Sequence, residues 1–193
     1  MTNAVVQARP QPRALVTQQP AAAAAAAELA QYLTFVLAGE PFAIGILAIK
    51  EIIEYRGLAT VPMMPACVRG VINLRGAVVP VIDLQARFGR ASSEVSKRTC
   101  IVIVEVANEA EAQGRRQVVG VVVDAVNEVL DIAPADIEPP PSFGARIRSD
   151  FIAGVGKVRG KFVILLDVDR VLTLDDLGAM ASAGADAAAN AAN

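Results

Sequence analysis

The chain of 193 residues contains no histidine, so it lacks the commonest general base, the usual metal ligand and the phosphate-accepting residue of relay proteins. Its two cysteines, Cys67 and Cys100, form no Cys-x-x-Cys motif and lie in apolar stretches, so we expect two buried free thiols and no zinc site. No stretch approaches the roughly 20 apolar residues of a membrane span. The net charge of −2 indicates no attraction to nucleic acid or anionic lipid.

Recognisable catalytic motifs are also missing. The sequence has no Gly-x-x-x-x-Gly-Lys-Ser/Thr phosphate loop and no Asp-Thr/Ser-Gly motif. Asp83, Asp124 and Asp167 remain as conceivable acid–base groups. We interpret Asp83 and Asp167 as caps of helical turns, because a carboxylate there accepts hydrogen bonds from free backbone N–H groups. These absences favour a binding module with no cofactor and no metal over an enzyme.

The main positive feature is an internal repeat. Residues 70–84 read GVINLRGAVVPVIDL, and residues 154–168 read GVGKVRGKFVILLDV. Both copies have a Gly-Val start, an Arg-Gly pair, an apolar run and a closing aspartate. The Arg-Gly pairs at Arg75 and Arg159 predict hairpin turns, because glycine adopts positive φ at low steric cost. The repeat predicts two similar β modules, with a cleft between them in which a partner could dock.

The repeat extends towards the N-terminus of each copy, where residues 42–53 resemble residues 119–130. Glu51 then matches Glu128. We expect the features shared by the two Arg-Gly corners to be architectural and the differences to carry specific function. On local sequence alone, Arg75 is equally well explained as an interface residue or as a solvated turn residue. Glu51 is better explained as a solvated strand-edge charge, because Glu128 takes the matching position.

The pattern between the chain ends predicts many short strands, which is typical of small barrels or a sandwich. The predicted strands are residues 32–37, 40–44, 50–56, 69–74, 77–82, 99–106, 117–123, 128–132, 151–158 and 161–166. Helical turns are predicted at residues 84–88 and 168–172. Pro80 has no N–H to donate to a ladder and therefore marks a strand edge or bulge.

The two ends are predicted to lie outside the fold. Residues 1–29 are rich in proline, glutamine and alanine, and residues 176–193 are rich in alanine. Such compositions bury too little apolar surface to order a chain. Residues 174–180 could form a short helix before the second tail, and residues 108–116 are predicted to be a polar loop.

Several motifs together resemble the CheW family of bacterial chemotaxis coupling proteins. They are KEI at residues 50–52, PACVRGVINLRG at 65–76, PVIDL at 80–84, VGVVVD at 119–124 and FIAG at 151–154. The resemblance covers residues 30–175. It implies a mainly β fold of two similar five-stranded SH3-like β-barrels with short helices, roughly residues 30–95 and 96–175. Which strands cross between the barrels is left open.

The resemblance also implies a function. Proteins of this family are non-catalytic adaptors that couple methyl-accepting chemoreceptors to the histidine kinase CheA. They contact the cytoplasmic tip of the receptor and the CheW-like regulatory domain of the kinase. We therefore expect a stand-alone cytoplasmic protein that is recruited to membrane-associated receptor arrays, without membrane insertion and without nucleic acid.

Site residues are implied position by position. Arg75 matches the functionally important arginine of the family motif Asn-Leu-Arg-Gly, and Glu51 matches a glutamate of the region that faces receptor and kinase. Residues around this arginine also match the family motif, and structural constraint is the better explanation for them. The apolar strand at residues 118–123 lies in the half that resembles the kinase-binding barrel, and it supplies weaker candidates. These additional candidates are Val71, Ile72, Gly76, Val119 and Val121. The resemblance implies no role for Arg159.

Two other functions stay open at this point. The first is a CheW-like scaffold in a different chemosensory pathway, such as pilus-based motility, which the long low-complexity N-terminus suggests. The second is a small β-barrel hydrolase with an unrecognised site.

Overall fold

A computed structural model describes residues 29–107, 116–140 and 147–173. Within these ranges the chain forms short strands, and single turns of helix lie between some of them. The strands are β1 (Ala30–Leu37), β2 (Glu40–Gly45), β3 (Ile49–Glu54), β4 (Val68–Leu74), β5 (Ala77–Asp83), β6 (Cys100–Ala107), β7 (Arg116–Val123), β8 (Ala125–Ile132), β9 (Ile137–Glu138), β10 (Ile152–Val158) and β11 (Lys161–Leu166). The two helices are α1 (Leu84–Arg87) and α2 (Val168–Val171).

All ten predicted strands and both helical turns are confirmed. The two-residue strand β9 escaped prediction, and β8 begins three residues earlier than expected, at Ala125 instead of residue 128. The predicted polar loop, apart from its last residue at the start of β7, lies outside the described residues. The predicted helix at 174–180 and most of the two predicted tails lie outside them as well.

The strands form two sheets of matching order. The first sheet has the order β8-β1-β2-β11-β10-β9, and the second sheet has the order β3-β6-β7-β5-β4. The sequence repeat relates β8 to β3, β1 to β6, β2 to β7, β11 to β5 and β10 to β4. The mainly β fold class, with two similar sheets and short helices, is confirmed.

The first two strands of each half lie in the sheet that holds the remaining strands of the other half. β3 pairs antiparallel with β6, and β8 pairs antiparallel with β1. A boundary near residue 95 therefore divides the repeat in sequence but does not divide the sheets. The predicted division into two subdomains, residues 30–95 and 96–175, stays a prediction.

Both Arg-Gly pairs form the predicted hairpin turns. The φ angles are 52° at Arg75 and 89° at Gly76, and 49° at Arg159 and 75° at Gly160. Two consecutive positive φ angles are the geometry of a type I′ turn, whose twist matches that of the flanking strands. The same local sequence therefore produces the same corner in both sheets.

Pro80 lies at a point where β5 is paired with a neighbouring strand on one side only. β5 is an inner strand, yet its pairing with β7 includes only Val81, Ile82 and Asp83. Pro80 is paired with Val71 of β4 on its other side. No N–H donor is required from Pro80 on the β7 side, because the β7 ladder has not yet begun there.

The largest apolar core lies between the two sheets, and it contains four phenylalanines in series. Ring centroids are 6.3 Å apart for Phe35 and Phe42, 6.0 Å for Phe42 and Phe88, and 6.2 Å for Phe88 and Phe151. These distances are within the range of favourable aromatic contacts. Smaller clusters fill the inner side of each sheet. The two sheets therefore share one core and form one unit.

Asp83 caps α1, as predicted. Its Oδ1 accepts hydrogen bonds from the backbone N–H of Gln85 at 3.0 Å and from Ser93 Oγ at 2.9 Å, and its Oδ2 accepts from the Ser93 N–H at 2.8 Å. The Asp83 side chain is fully buried. Asp167 likewise caps α2 by accepting from the Arg170 N–H at 3.2 Å. Both aspartates therefore hold local structure, as the cap interpretation predicts.

The two cysteines are free thiols, but they differ in exposure. Cys67 is buried as predicted, whereas Cys100 is only half-buried, because it lies at the first residue of β6. Burial raises the pKa of the Cys67 thiol above its ordinary value.

Native Cys67 is expected to react far more slowly than Cys100 with a thiol reagent. The thiolate is the reactive form, so a raised pKa leaves less of it at pH 7–8, and burial also blocks access. Titration with 5,5′-dithiobis(2-nitrobenzoic acid) should show one fast thiol, with the second appearing on unfolding. Cys100→Ser should remove the fast phase, and equal rates for both thiols would contradict this structure.

Candidate protein-interaction site

The candidate site lies between the two edge strands of the second sheet, β3 and β4. The segment that follows β3 meets β4 through an isolated bridge. The Ala59 N–H donates to the Val71 carbonyl at 3.0 Å, and the Val71 N–H donates to the Ala59 carbonyl at 2.8 Å. Away from this bridge, β3 and β4 share no ladder.

Arg75 and Glu51 join the same two edges at the other end. Nη2 of Arg75 lies 3.1 Å from Oε2 of Glu51. Arg75 comes from the turn after β4, and Glu51 is the third residue of β3. The two residues are therefore neighbours because the two edges of the second sheet approach each other here.

A cleft of about 630 Å³ lies beside the bridge, and its lining reaches Ile53 and Asn73, each two residues from a member of the ion pair. Ile53, Ile72 and Ile101 supply its apolar lining, and Glu54, Arg56 and Asn73 supply polar groups at its margin. The remaining lining residues are Gly57, Ala59 and Val71. We call this space the β3–β4 cleft. Its volume is large enough for one or two apolar side chains of a partner.

The ion pair leaves most of the Arg75 side chain available. Arg75 is 81% exposed, whereas Glu51 is 27% exposed. An exposed pair of this kind contributes about 0–1 kcal/mol to stability, because solvent screens it. Guanidinium has five N–H donors and is weakly hydrated, so it is suited to an interface. Glu51 orients Arg75, and the remaining donors of Arg75 face solvent.

The repeat shows which parts of this site are architectural. In the first sheet Arg159 Nη1 lies 3.8 Å from Glu128 Oε1, so the Arg–Glu contact occurs at both corners. The space behind it differs. The position of Ile72 is taken there by Gly156, and Ile132 Cδ1 lies 3.1 Å from an ideal Cβ on that glycine. Ile132 therefore packs against Gly156 in the first sheet, where the second sheet has Ile72.

The structure brings five of the seven predicted site residues together. Arg75 and Gly76 form the turn, Glu51 faces Arg75, and Val71 and Ile72 line the cleft. All five lie on the two facing edges of the second sheet.

The other two predicted residues are placed elsewhere. Val119 and Val121 are fully buried in the core between the sheets. Neither side chain reaches the surface, and a role for Val119 or Val121 in binding stays a prediction. The strand pattern of β7 is continuously apolar, and this is the sequence signal of burial on both faces.

Sequence reasoning missed an apolar rim beside the cleft. Val61, Met63 and Met64 are exposed in the loop that follows the Ala59 bridge, and Met63 is 87% exposed. The signal was the run Val-Pro-Met-Met-Pro at residues 61–65, in which prolines prevent the apolar residues from entering a strand. Flexible methionine side chains adapt well to a partner surface.

Neither a metal site nor a membrane-spanning helix occurs in the described ranges. Within them no group of three cysteine, aspartate or glutamate side chains could hold a metal ion. The helices there are single turns, too short to cross a membrane.

Comparison with known proteins gave one consistent family. The family model described as a CheW-like domain matches residues 31–176. A chemotaxis protein CheW of Rhizobium meliloti is 33% identical over 146 residues, covering 76% of this chain and 89% of the relative. A chemotaxis protein CheW of Klebsiella aerogenes is 29% identical over 147 residues, covering 76% and 84%. The crystal structure of the scaffolding protein TtCheW from Thermoanaerobacter tengcongensis matches with a TM-score of 0.65 and 34% identity, covering 74% of this chain and 87% of that one.

Proposed function

This chain belongs to the CheW family of chemotaxis adaptor proteins, and we propose that it joins its partners through the β3–β4 cleft and a second, separate surface. As a member of this family it is an adaptor of chemotaxis signalling. The partners proposed for it are the cytoplasmic tip of a chemoreceptor and the regulatory domain of the histidine kinase CheA. The proposed location is the cytoplasm, at membrane-associated receptor arrays, and no catalytic step is proposed.

The observation that supports this proposal most is the combination of an apolar cleft with an exposed arginine at its end. An amphipathic helix presents apolar side chains on one face and charged ones beside them. The apolar side chains of a receptor helix would enter the cleft between Ile53 and Ile72, and a carboxylate beside them would bind Arg75. Helix-in-groove recognition of this kind needs no reacting group.

The kinase domain is proposed to bind a different surface. A CheW-like regulatory domain has edges and corners of its own, and two such units can associate edge to edge. The unpaired side of β9 at the end of the first sheet offers such an edge. This separation would let one adaptor hold both partners at the same time.

The expected affinity of each contact is modest. Burial of one large apolar side chain contributes about 1.5–3 kcal/mol, and a hydrogen bond to a charged group about 1.5–3 kcal/mol. Association entropy removes much of this gain. Stable assembly therefore depends on multivalency, in which the second contact forms at high effective concentration.

A binding experiment with purified parts tests the proposal. The full chain is immobilised and exposed to a receptor cytoplasmic hairpin and to a CheA regulatory domain, separately and together. We expect each partner to be retained alone and both to be retained together. Retention of neither partner by a chain with an intact thermal unfolding transition would contradict the proposed function.

A further inference from the structure

The loop after the Ala59 bridge begins and ends at the β3–β4 cleft. Ala59 and Val71 pair with each other, and both line the cleft. Residues 60–70 between them therefore form a closed loop whose two ends meet at the cleft wall. Within this loop the Val68 N–H donates to the Pro65 carbonyl at 2.8 Å, so its second half turns back tightly. A partner that fills the cleft has this loop as its immediate neighbour.

Two methionines of this loop face solvent. Met63 is 87% exposed and Met64 is 46% exposed. The φ angle of Met63 is 59°, which is the left-handed conformation that residues with a side chain seldom adopt. Pro62 and Pro65 flank the pair and have no N–H to donate, so the segment does not join the edge of the sheet. Strained backbone of this kind is concentrated at functional sites.

Met63 is the most exposed sulfur-containing residue of the described ranges. Cys67 is buried, and Cys100 is half-buried, with its thiol donating to the Arg98 carbonyl at 3.3 Å. In the other copy of the repeat, the segment after the third strand, residues 133–151, contains neither methionine nor cysteine. The two sheets have matching strand order, so the exposed sulfur distinguishes the side of the molecule that carries the cleft.

We propose that Met63 is a site of reversible oxidation that lowers binding at the β3–β4 cleft, an inference that rests on the proposed function. The oxidant is hydrogen peroxide. A lone pair of Met63 Sδ attacks one peroxide oxygen, an S–O bond forms and the O–O bond breaks. The proton of the transferred oxygen passes to the departing hydroxide, which leaves as water. The sulfide is thereby oxidised to the sulfoxide, and the peroxide is reduced by the same two electrons.

Oxidation changes the side chain from an apolar, adaptable group into a polar one. The sulfoxide oxygen accepts hydrogen bonds from water, and burial against apolar side chains of a partner removes these bonds at a cost in free energy. Val61 and Met64, the neighbours of Met63 on the rim, are apolar and offer no side-chain donor in exchange. Methionine sulfoxide reductase restores the sulfide, with a dithiol oxidised to a disulfide and the oxygen released as water. The modification is therefore reversible.

Mass analysis tests the site itself. The full chain is treated with hydrogen peroxide for increasing times and digested, and its peptides are fragmented to place the added oxygen. We expect Met63 to gain one oxygen atom earlier than Met64, because its side chain is more exposed. The same order is expected in Cys100→Ser, where the more accessible thiol is absent. Oxidation of Met63 that is no faster than that of Met64 would overturn the assignment.

Binding of the receptor cytoplasmic hairpin is then measured for the untreated, the oxidised and the enzymatically reduced full chain. We expect oxidation to lower the affinity about 10-fold, reduction to restore it, and thermal unfolding to change little. Met63→Gln, a polar side chain of similar length, should show a comparable loss without oxidant. Met63→Leu with Met64→Leu should show no change on peroxide treatment, whatever its own starting affinity, although Met1 and Met180 remain oxidisable.

The outcomes separate the switch from the proposed function. An untreated, folded chain that does not bind the hairpin contradicts the proposed binding at the cleft and the switch together. An untreated chain that binds, with equal binding after Met63 is oxidised, overturns the switch alone. A loss of binding on peroxide treatment that persists in the Met63→Leu, Met64→Leu variant also overturns the switch, because the sensitive group then lies elsewhere.

Discussion

Arg75→Glu is expected to lower the affinity for the receptor hairpin by about 10-fold or more, while the affinity for the kinase regulatory domain and thermal unfolding change little. The substitution places two carboxylates where Arg75 and Glu51 now lie 3.1 Å apart, and it removes the exposed donors of the cleft. Truncation or reversal of an interface charge that pairs with a partner costs about 2–5 kcal/mol. The intramolecular ion pair is solvent-exposed and contributes about 0–1 kcal/mol. Binding should therefore fall much more than stability.

A charge exchange and a repeat-matched variant serve as controls. Arg75→Glu combined with Glu51→Arg restores the intramolecular pair but moves the cation to β3, so it separates local repulsion from loss of the arginine. Arg159→Glu makes the same change at the other corner, which lies in the first sheet and pairs with Glu128 instead of Glu51. That variant should retain receptor binding. If Arg75→Glu unfolds the chain, or binds both partners normally, Arg75 is a turn residue and nothing more.

Gly70→Ala is expected to destabilise the fold by about 3 kcal/mol or more. An ideal Cβ at Gly70 would lie 2.4 Å from the Ala59 carbonyl oxygen, and the φ angle of +147° is one that residues with a side chain rarely adopt. The obstructing atom is backbone and belongs to the bridge that closes β3 against β4. Relief therefore requires opening the bridge or moving β4. The midpoint of thermal unfolding should fall by about 10 °C.

Other glycines provide graded controls for this measurement. Gly57→Ala should change stability little, because an ideal Cβ there has no neighbour within 4 Å. Gly154→Ala, at the matching position of the repeat, should be clearly destabilising, since its Cβ would lie 2.6 Å from Ile137 Cγ2 and 3.0 Å from the Glu138 carbonyl oxygen. A Gly70→Ala variant as stable as Gly57→Ala would show that the Ala59 segment does not close on β4.

The repeated glycines illustrate how far the sequence could be interpreted. The Gly-Val start of each repeat was recognisable, but its reason was not. Gly70 and Gly154 are the points where the segment after the third strand crosses over the hairpin. In the second sheet this segment forms the bridge of Ala59, and in the first it is β9. Both pairings are contacts between segments that sequence periodicity alone does not connect.

The candidate site was predicted in part for the same reason. The family resemblance pointed to Arg75 and Glu51, and the structure adds the cleft beside the bridge. The cleft depends on how tightly side chains pack on the inner side of the second sheet, and strand periodicity does not show where they leave space. For Val119 and Val121, the apolar run of β7 was interpreted as a binding strand. The position of β7 between β6 and β5 buries it instead.

Residues near one another along the chain were enough to predict the strands, both Arg-Gly turns, the capping aspartates and the family. Each of these depends on backbone geometry or on hydrogen bonds within a few residues. Tertiary structure alone paired β3 with β6 and β8 with β1, brought Glu51 to Arg75 and left the β3–β4 cleft open. A strand with an alternating or apolar pattern could be buried equally well in either sheet. Packing against the shared core therefore decides which sheet the strand joins.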